Sequence, residues 1–231
     1  MIVTDAPPRP RAILFDWDNT LVDNWGAIHA ALNSALSAMG QGTWTVAETR
    51  QRVRKSLRDS FPEMFGERWH EARDIFYRSF AASHLETLKP IDGAGEMLAA
   101  LAGEGLYLGV VSNKMGDYLR READHLGWTG YFARLIGAMD AEQDKPAVAP
   151  VELALDGSFI ARGPEVWFVG DADIDIACAQ NAGLTAVILH RDNESRINSA
   201  GAAESGLEEN LSLGGCMELA QLVQDLYRPT S

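Results

Sequence analysis

At 231 residues, 46% of them hydrophobic and 23% charged, the chain is long enough for one large domain or for one domain with a smaller insert. A formal net charge of -13 and a pI near 4.7 oppose binding to nucleic acid or anionic lipid through bulk electrostatics, so an anionic substrate needs local cationic help. Cys178 and Cys216 form no CxxC or metal-type spacing and imply no disulfide framework, the usage of a reducing compartment. The stretch MIVTDAPPRPR is polar and Pro-rich rather than an apolar signal region, and the sequence has no run of about 18 apolar residues. The expectation is a soluble, cytoplasmic protein without nucleic-acid or membrane partners; the sequence does not address its oligomeric state.

The first predicted element is AILF, residues 12 to 15, a short apolar run of the kind a parallel sheet buries on both faces. It leads straight into Asp16, Asp18 and Thr20. Carboxylates that close together repel unless something cationic sits between them, although an Asp-rich turn ending a strand would look the same. In WGAIHAALNSALSAMG, Ile28, Leu32, Ala35, Leu36 and Met39 fall at helical spacing and Gly40 closes the segment. TVAETRQRVRKSL and ERWHEARDIFYRSFAASHLETL are also predicted helical, and the stripe Trp69, Ala72, Ile75, Phe76 and Phe80 reads as core. Residues 24–88 are thus expected to form an all-helical cap, with residues 1–23 and 89–231 making the core domain.

Strand and helix then alternate. AGEMLAALAGEG places Met97, Leu98 and Leu101 on one face, with Gly103 or Gly105 as the stop. The strand LYLGVVS (106–112) follows, then the helix DYLRREADHLG with Asp117 as N-cap and Gly127 as stop. VWFVG (166–170), a helix over DIACAQNAG ending at Gly183, and TAVILH (185–190) complete the pattern. The order predicts an α/β fold, a doubly wound parallel sheet that binds ligands at the carboxyl ends of its strands. After His190 the chain turns polar and Gly/Ala/Ser-rich, an expected loose connection before a closing helix around MELAQLVQDL. The sequence contains no internal repeat.

Polar groups collect at these strand ends: Ser112 and Asn113 after GVV, Lys145 in QDKP, and Asp171, Asp173 and Asp175 in VWFVGDADID. The topology can bring them to one edge of the sheet. Several crowded carboxylates call for a hard divalent cation with oxygen ligands, for which Mg2+ fits best. The lysine and the hydroxyl then suit a phosphoryl group bound beside that metal.

Taken in order, DWDNT, VVSN, DKP and GDADID resemble the four motifs of the haloacid dehalogenase superfamily of phosphohydrolases, in particular its phosphoglycolate phosphatase-like members with a helical cap. The resemblance covers residues 11 to about 190; Trp17 and Asn19 depart mildly, standing where smaller residues or Gly are common. It implies Asp16 as the nucleophile that forms an aspartyl phosphate and Asp18 as general acid, then base. It further implies that Thr20 fixes the turn and holds Asp18, that Ser112 bonds a phosphoryl oxygen, and that Lys145 screens charge between Asp16 and substrate. Asp16, Asp171 and the backbone carbonyl of Asp18 would bind Mg2+, Asp175 directly or through water, and Asp173 not at all. The implied activity is Mg2+-dependent hydrolysis of a small phosphorylated metabolite, of which a phosphoglycolate-like ester is one.

Specificity is expected in the helical segment. Arg54, Lys55 and Arg58 form a basic cluster that reads either as a solvated helix face or as a reader of the far end of an anionic substrate, Arg58 foremost, with Asn113 as a further substrate contact. The alternatives are a sugar phosphomutase, a phosphonate hydrolase with Lys55 as its Schiff-base lysine, or a non-catalytic regulatory binding module. A haloacid dehalogenase would have no use for Asp18 or the distal carboxylates. His29, His70, His84, His125 and His190 show no ligand spacing and are given no catalytic role.

Overall fold

The computed structural model describes residues 7–53, 55–190 and 211–228. Its main sheet has six parallel strands in the order β5-β4-β1-β6-β7-β8. These are β1 (Ala12–Phe15), β4 (Tyr107–Met115), β5 (Arg134–Ala138), β6 (Val166–Gly170), β7 (Thr185–Leu189) and β8 (Leu211–Leu213). Every residue of β1 is buried because the strand is apolar at both pleat positions and is covered on both sides. Ile13 and Phe15 join a core with α5 (Ala94–Gly103), α6 (Gly116–His125) and α9 (Cys216–Tyr227). Ala12 and Leu14 face the opposite core with α7 (Ala149–Leu155) and α8 (Asp173–Ala182). β1 therefore lies where the strand order reverses, and its carboxyl end opens into the crevice that such sheets use for ligands.

A helical insert leaves the sheet just after β1. Its ends are clamped side by side by an antiparallel pair, β2 (Val22–Asp23) with β3 (Lys89–Pro90). Between them lie α1 (Trp25–Ala38), α2 (Val46–Arg52), α3 (Leu57–Phe65) and α4 (Trp69–Thr87). Leu32, Ala35 and Leu36 of α1 pack with Phe61, Phe65 and Ala72, while Ala27 and Ala31 pack on Phe80. The stripe expected on α4 is core in this sense, with Trp69, Ile75 and Phe76 partly buried against the same clusters.

Local chemistry sets several boundaries differently from the sequence reading. The segment TVAETRQRVRKSL is two elements: Thr45 and Glu48 form a capping box that starts α2, and the chain turns extended at Val53. A new helix then starts where the Ser56 carbonyl accepts the Asp59 and Ser60 N–H groups and the Ser56 hydroxyl donates to Asp59. Asp117 is not an N-cap. Strand β4 runs on to Met115 and passes directly into α6 at Gly116, which puts Asp117 inside the first turn. Gly137 of β5 allows the close approach of Gly116, because a Cβ there would fall 2.4 Å from the Gly116 Cα. Strand β5 and helix α7 were not expected, and β8 extends the sheet beyond the anticipated four strands. The expected loose connection over 191–210 lies outside the described residues. Among the described residues no helix is long and apolar enough to cross a membrane.

Candidate active site

The floor of the site is built from the carboxyl ends of β1 and β6. Asp16 follows β1 directly and its backbone N–H donates to the Val169 carbonyl at 2.8 Å, which locks the residue to β6. Asp171 follows β6, and Asp175 sits in the first turn of α8. Oxygen atoms of Asp16, Asp171 and Asp175 all lie within 4.8 Å of one another. Gly170 makes this possible, because a Cβ there would fall 2.3 Å from the Asp175 carboxyl carbon. The Lys145 ammonium donates to Asp16 Oδ1 and to Asp175 Oδ1, each at 2.7 Å. Asp175 Oδ2 accepts the Asp171 and Ala172 N–H groups at 3.2 and 3.1 Å.

Three carboxylates crowd one ammonium here, and burial together with this crowding pushes Asp16 and Asp171 up. Burial pushes Asp16 up to about 6, with Lys145 opposing and Asp175 adding to the rise. Burial, then repulsion from Asp175 and Asp16, pushes Asp171 up to about 8. Burial alone would lower the Lys145 ammonium, but Asp16 and Asp175 outweigh it and raise it. A buried, all-oxygen donor set with excess negative charge suits a hard divalent cation.

Asp18 stands in a different environment, the wall of the site. Its Oδ1 accepts from Asn24 Nδ2 at 2.9 Å and from Lys114 Nζ at 2.8 Å. Lys114 also donates to Glu122 at 3.0 Å. Glu122 is fully buried, and its two oxygens accept from His84 Nδ1 at 2.8 Å, Trp17 Nε1 at 2.7 Å and Asn24 Nδ2 at 3.0 Å. Burial would lower the Lys114 ammonium as well, yet Asp18 and Glu122 raise it. None of Lys114, Glu122 or His84 was anticipated as a site residue. One signal was available: in α6 the buried positions 119, 122 and 123 are Leu, Glu and Ala, so a carboxylate interrupts an otherwise apolar stripe.

The other expected residues divide. Ser112 lies near the end of β4 and lines the same cavity as Asp16 and Asp18. Thr20 does not hold Asp18; its hydroxyl donates to Asp171 Oδ1 at 3.2 Å, so it braces the floor instead. Asn113 reaches the cavity but spends both amide atoms on the backbone of Lys145, at 2.9 and 3.1 Å, and so fixes the loop carrying that lysine. Arg58 does not line the cavity that holds Asp16. Its Nε lies 2.7 Å from Asp144 Oδ2 and its Nη2 donates to Oδ1 at 2.8 Å, tying α3 to the loop before Lys145. Lys55 borders the cavity but pairs with Glu63 at 3.1 Å, and Arg54 lies outside the described residues. Asp173 is exposed and stands apart from the cluster. The cavity measures about 210 Å³ and is walled from the insert by Trp25, Phe76, Tyr77 and Phe80.

Residues 13–189 match the family described as Haloacid dehalogenase-like hydrolase. The chain belongs to that family. Among its relatives, a protein named Phosphoglycolate phosphatase from Photorhabdus laumondii subsp. laumondii is 31% identical over 187 residues, 78% of this chain and 80% of the relative. One of the same name from Xanthomonas campestris pv. campestris is 32% identical over 182 residues, 77% and 82% of the two chains. The fold of this haloacid dehalogenase-like hydrolase is shared with a crystallised Had-superfamily hydrolase from Ehrlichia chaffeensis, at 27% identity and a TM-score of 0.63 over 95% of this chain and 98% of the other. A predicted phosphatase from Clostridium acetobutylicum, at 20% identity, superposes with a TM-score of 0.79 over 94% and 99% and speaks to the fold alone.

Proposed function

We propose that this haloacid dehalogenase-like hydrolase is a Mg2+-dependent phosphatase that hydrolyses a small phosphomonoester through an aspartyl phosphate on Asp16, with residues 24–88 as a cap over the site. The observation that carries the reading is the floor itself: a carboxylate at a strand end, held on one oxygen by Lys145, beside two further carboxylates that, among the described residues, have only that one ammonium between them. Lys145 on Oδ1 leaves Asp16 Oδ2 to attack phosphorus. As the bond from phosphorus to the leaving oxygen breaks, its electron pair goes to that oxygen, which takes a proton from Asp18. Asp18, now a carboxylate, removes a proton from water, which attacks the aspartyl phosphate and returns Asp16 and inorganic phosphate. Ser112 donates to a phosphoryl oxygen, and Lys145 screens the negative charge that Asp16 and the phosphoryl group bring together.

Asp16, Asp171, Asp175 and the backbone carbonyl of Asp18 would hold Mg2+. When bound, the ion supplies the positive charge that the crowded carboxylates and a phosphoryl group share. The relatives named Phosphoglycolate phosphatase make a phosphoglycolate-like ester the first to try. Lys55 is engaged with Glu63, which gives the phosphonate-hydrolase alternative no support.

The test is a screen of phosphomonoesters with free phosphate as readout, on metal-free protein with and without added Mg2+. Phosphate release that needs Mg2+ and stops on chelation is expected. Full activity in excess chelator would overturn the assignment of the carboxylate cluster.

A further inference from the structure

The insert and the core meet at a buried chain of polar groups that the phosphatase chemistry does not by itself require. Phe80 and His84 sit one turn apart on α4, Tyr118 and Glu122 one turn apart on α6, and the two pairs face each other. The His84 ring stacks on Phe80 and meets the Tyr118 ring edge-on at 5.0 Å, while His84 Nδ1 lies 2.8 Å from Glu122 Oε1. A carboxylate only accepts, so this nitrogen carries the hydrogen. Glu122 passes the contact on to Lys114, which lies over the Phe80 ring at 4.8 Å and ends on Asp18 Oδ1. The insert contributes at both of its ends, since Asn24, just before α1, donates to Asp18 Oδ1 and Glu122 Oε2 at once. Trp17, the residue between the two aspartates of DWDNT that departs from the family pattern, supplies another donor to Glu122.

Stability does not ask for such an arrangement, because a well-packed apolar cluster of the same volume would hold the helices as well or better. Its geometry does ask for an explanation at Asp18. Both hydrogen bonds from Lys114 and Asn24 fall on Oδ1, so Oδ2 is the oxygen left to carry and pass a proton. A proton donor works only within hydrogen-bond reach and at the right angle to the leaving oxygen, so fixing one oxygen of the carboxyl group aims the other. Two of the groups that do the fixing, Asn24 and His84, belong to the insert.

We propose that Glu122 and His84 are positioning residues that aim Asp18 through Lys114, so that the acid/base carboxyl is aligned only while α4 is seated on α6. The inference rests on the phosphatase reading of the site and concerns protonation of the leaving group in particular. Esters of phenols with strongly stabilised anions need little protonation, whereas alkyl esters need it fully.

The experiment follows release of the leaving alcohol in single turnovers, on Mg2+-loaded protein, across a series from nitrophenyl to alkyl phosphates. In Glu122→Gln and His84→Leu the nitrophenyl ester should slow by only a few-fold and the alkyl esters by about 100-fold, so the dependence on leaving-group pKa steepens. Adding Asp18→Asn to Glu122→Gln should cost little beyond Asp18→Asn alone, since both act on one proton transfer. His84→Asn, whose amide N–H can stand near the place of Nδ1, should restore the shallow dependence. Equal slowing across the series, or additive losses with Asp18→Asn, would overturn the positioning role and leave the phosphatase reading standing. A wild-type protein that hydrolyses none of the esters would overturn that reading and the inference with it. If Glu122→Gln does not fold, as judged by thermal unfolding, the pair His84→Leu and His84→Asn decides the matter.

Discussion

Two lysines of this site do the same thing in outline and differ in consequence. Lys145 and Lys114 are both buried, and each ammonium reaches between two carboxylates, Asp16 and Asp175 for the first, Asp18 and Glu122 for the second. On the floor a third carboxylate, Asp171, is crowded into the same space, and Asp16 and Asp171 are both held well above the usual carboxylate range. In the wall no third carboxylate joins among the described residues; donors from Trp17, Asn24 and His84 complete the hydrogen bonding of Glu122. In the proposed reading, the excess negative charge of the floor is where a cation and a phosphoryl group would sit. A network in which Glu122 meets several donors and Asp18 is held on one oxygen instead marks a place where geometry is being held.

The comparison can be broken most directly by removing each ammonium in turn. Lys145→Met and Lys114→Met each leave buried carboxylates without their partner, and each should destabilise the fold by about 3–5 kcal/mol in urea unfolding with chelator present. Mg2+ should then separate them. Saturating Mg2+ stabilises any protein that binds it only when folded, by about 2.7 kcal/mol at one hundred times Kd. Lys145→Met, relieved of the competing ammonium, should gain more from Mg2+ than wild type does, while Lys114→Met should show the wild-type increment because Glu122 is sealed away. Equal gains in the two variants would mean that floor and wall are electrostatically alike.

A smaller effect sharpens the boundary between insert and core. Arg58 grips Asp144, whose side chain is only 1% exposed, and so clasps α3 to the loop that carries Lys145. Arg58→Ala should therefore lower kcat/KM several-fold for phosphomonoesters of every kind, charged or neutral at the far end. A loss confined to esters with a distal carboxylate would return Arg58 to the role of substrate reader.

The floor carboxylates were legible in the sequence because Asp16, Asp171 and Asp175 lie at or just past strand ends that the short apolar runs AILF and VWFVG announce, whereas Lys145 was legible only as part of DKP. Strand β5 escaped because RLIGA lies at the sheet edge and begins with an exposed Arg134 and a half-buried Leu135, so it lacks a continuous apolar run. Helix α7 escaped because seven residues with Pro150 in the first turn give too little periodicity to read. The wall was hidden for another reason. Glu122 is 105 positions from Trp17 and 38 from His84, so its partners are chosen by tertiary packing alone. The same holds for Arg58, whose partner Asp144 is 86 positions away. A run of positive charge looks identical in sequence whether it is solvated, reads a substrate, or clasps two parts of the molecule together.

The central claim is that Asp16 forms a bond to phosphorus, and trapping that bond tests it best. Asp18→Asn impairs both proton transfers, but an aryl phosphate labelled in its phosphoryl group needs little help with the first, so the aspartyl phosphate should accumulate. After an acid quench, one labelled phosphoryl group is expected on the peptide that contains Asp16, and none when Asp16→Asn is added. Label on Ser112 or Lys145, or label that survives Asp16→Asn, would contradict the account.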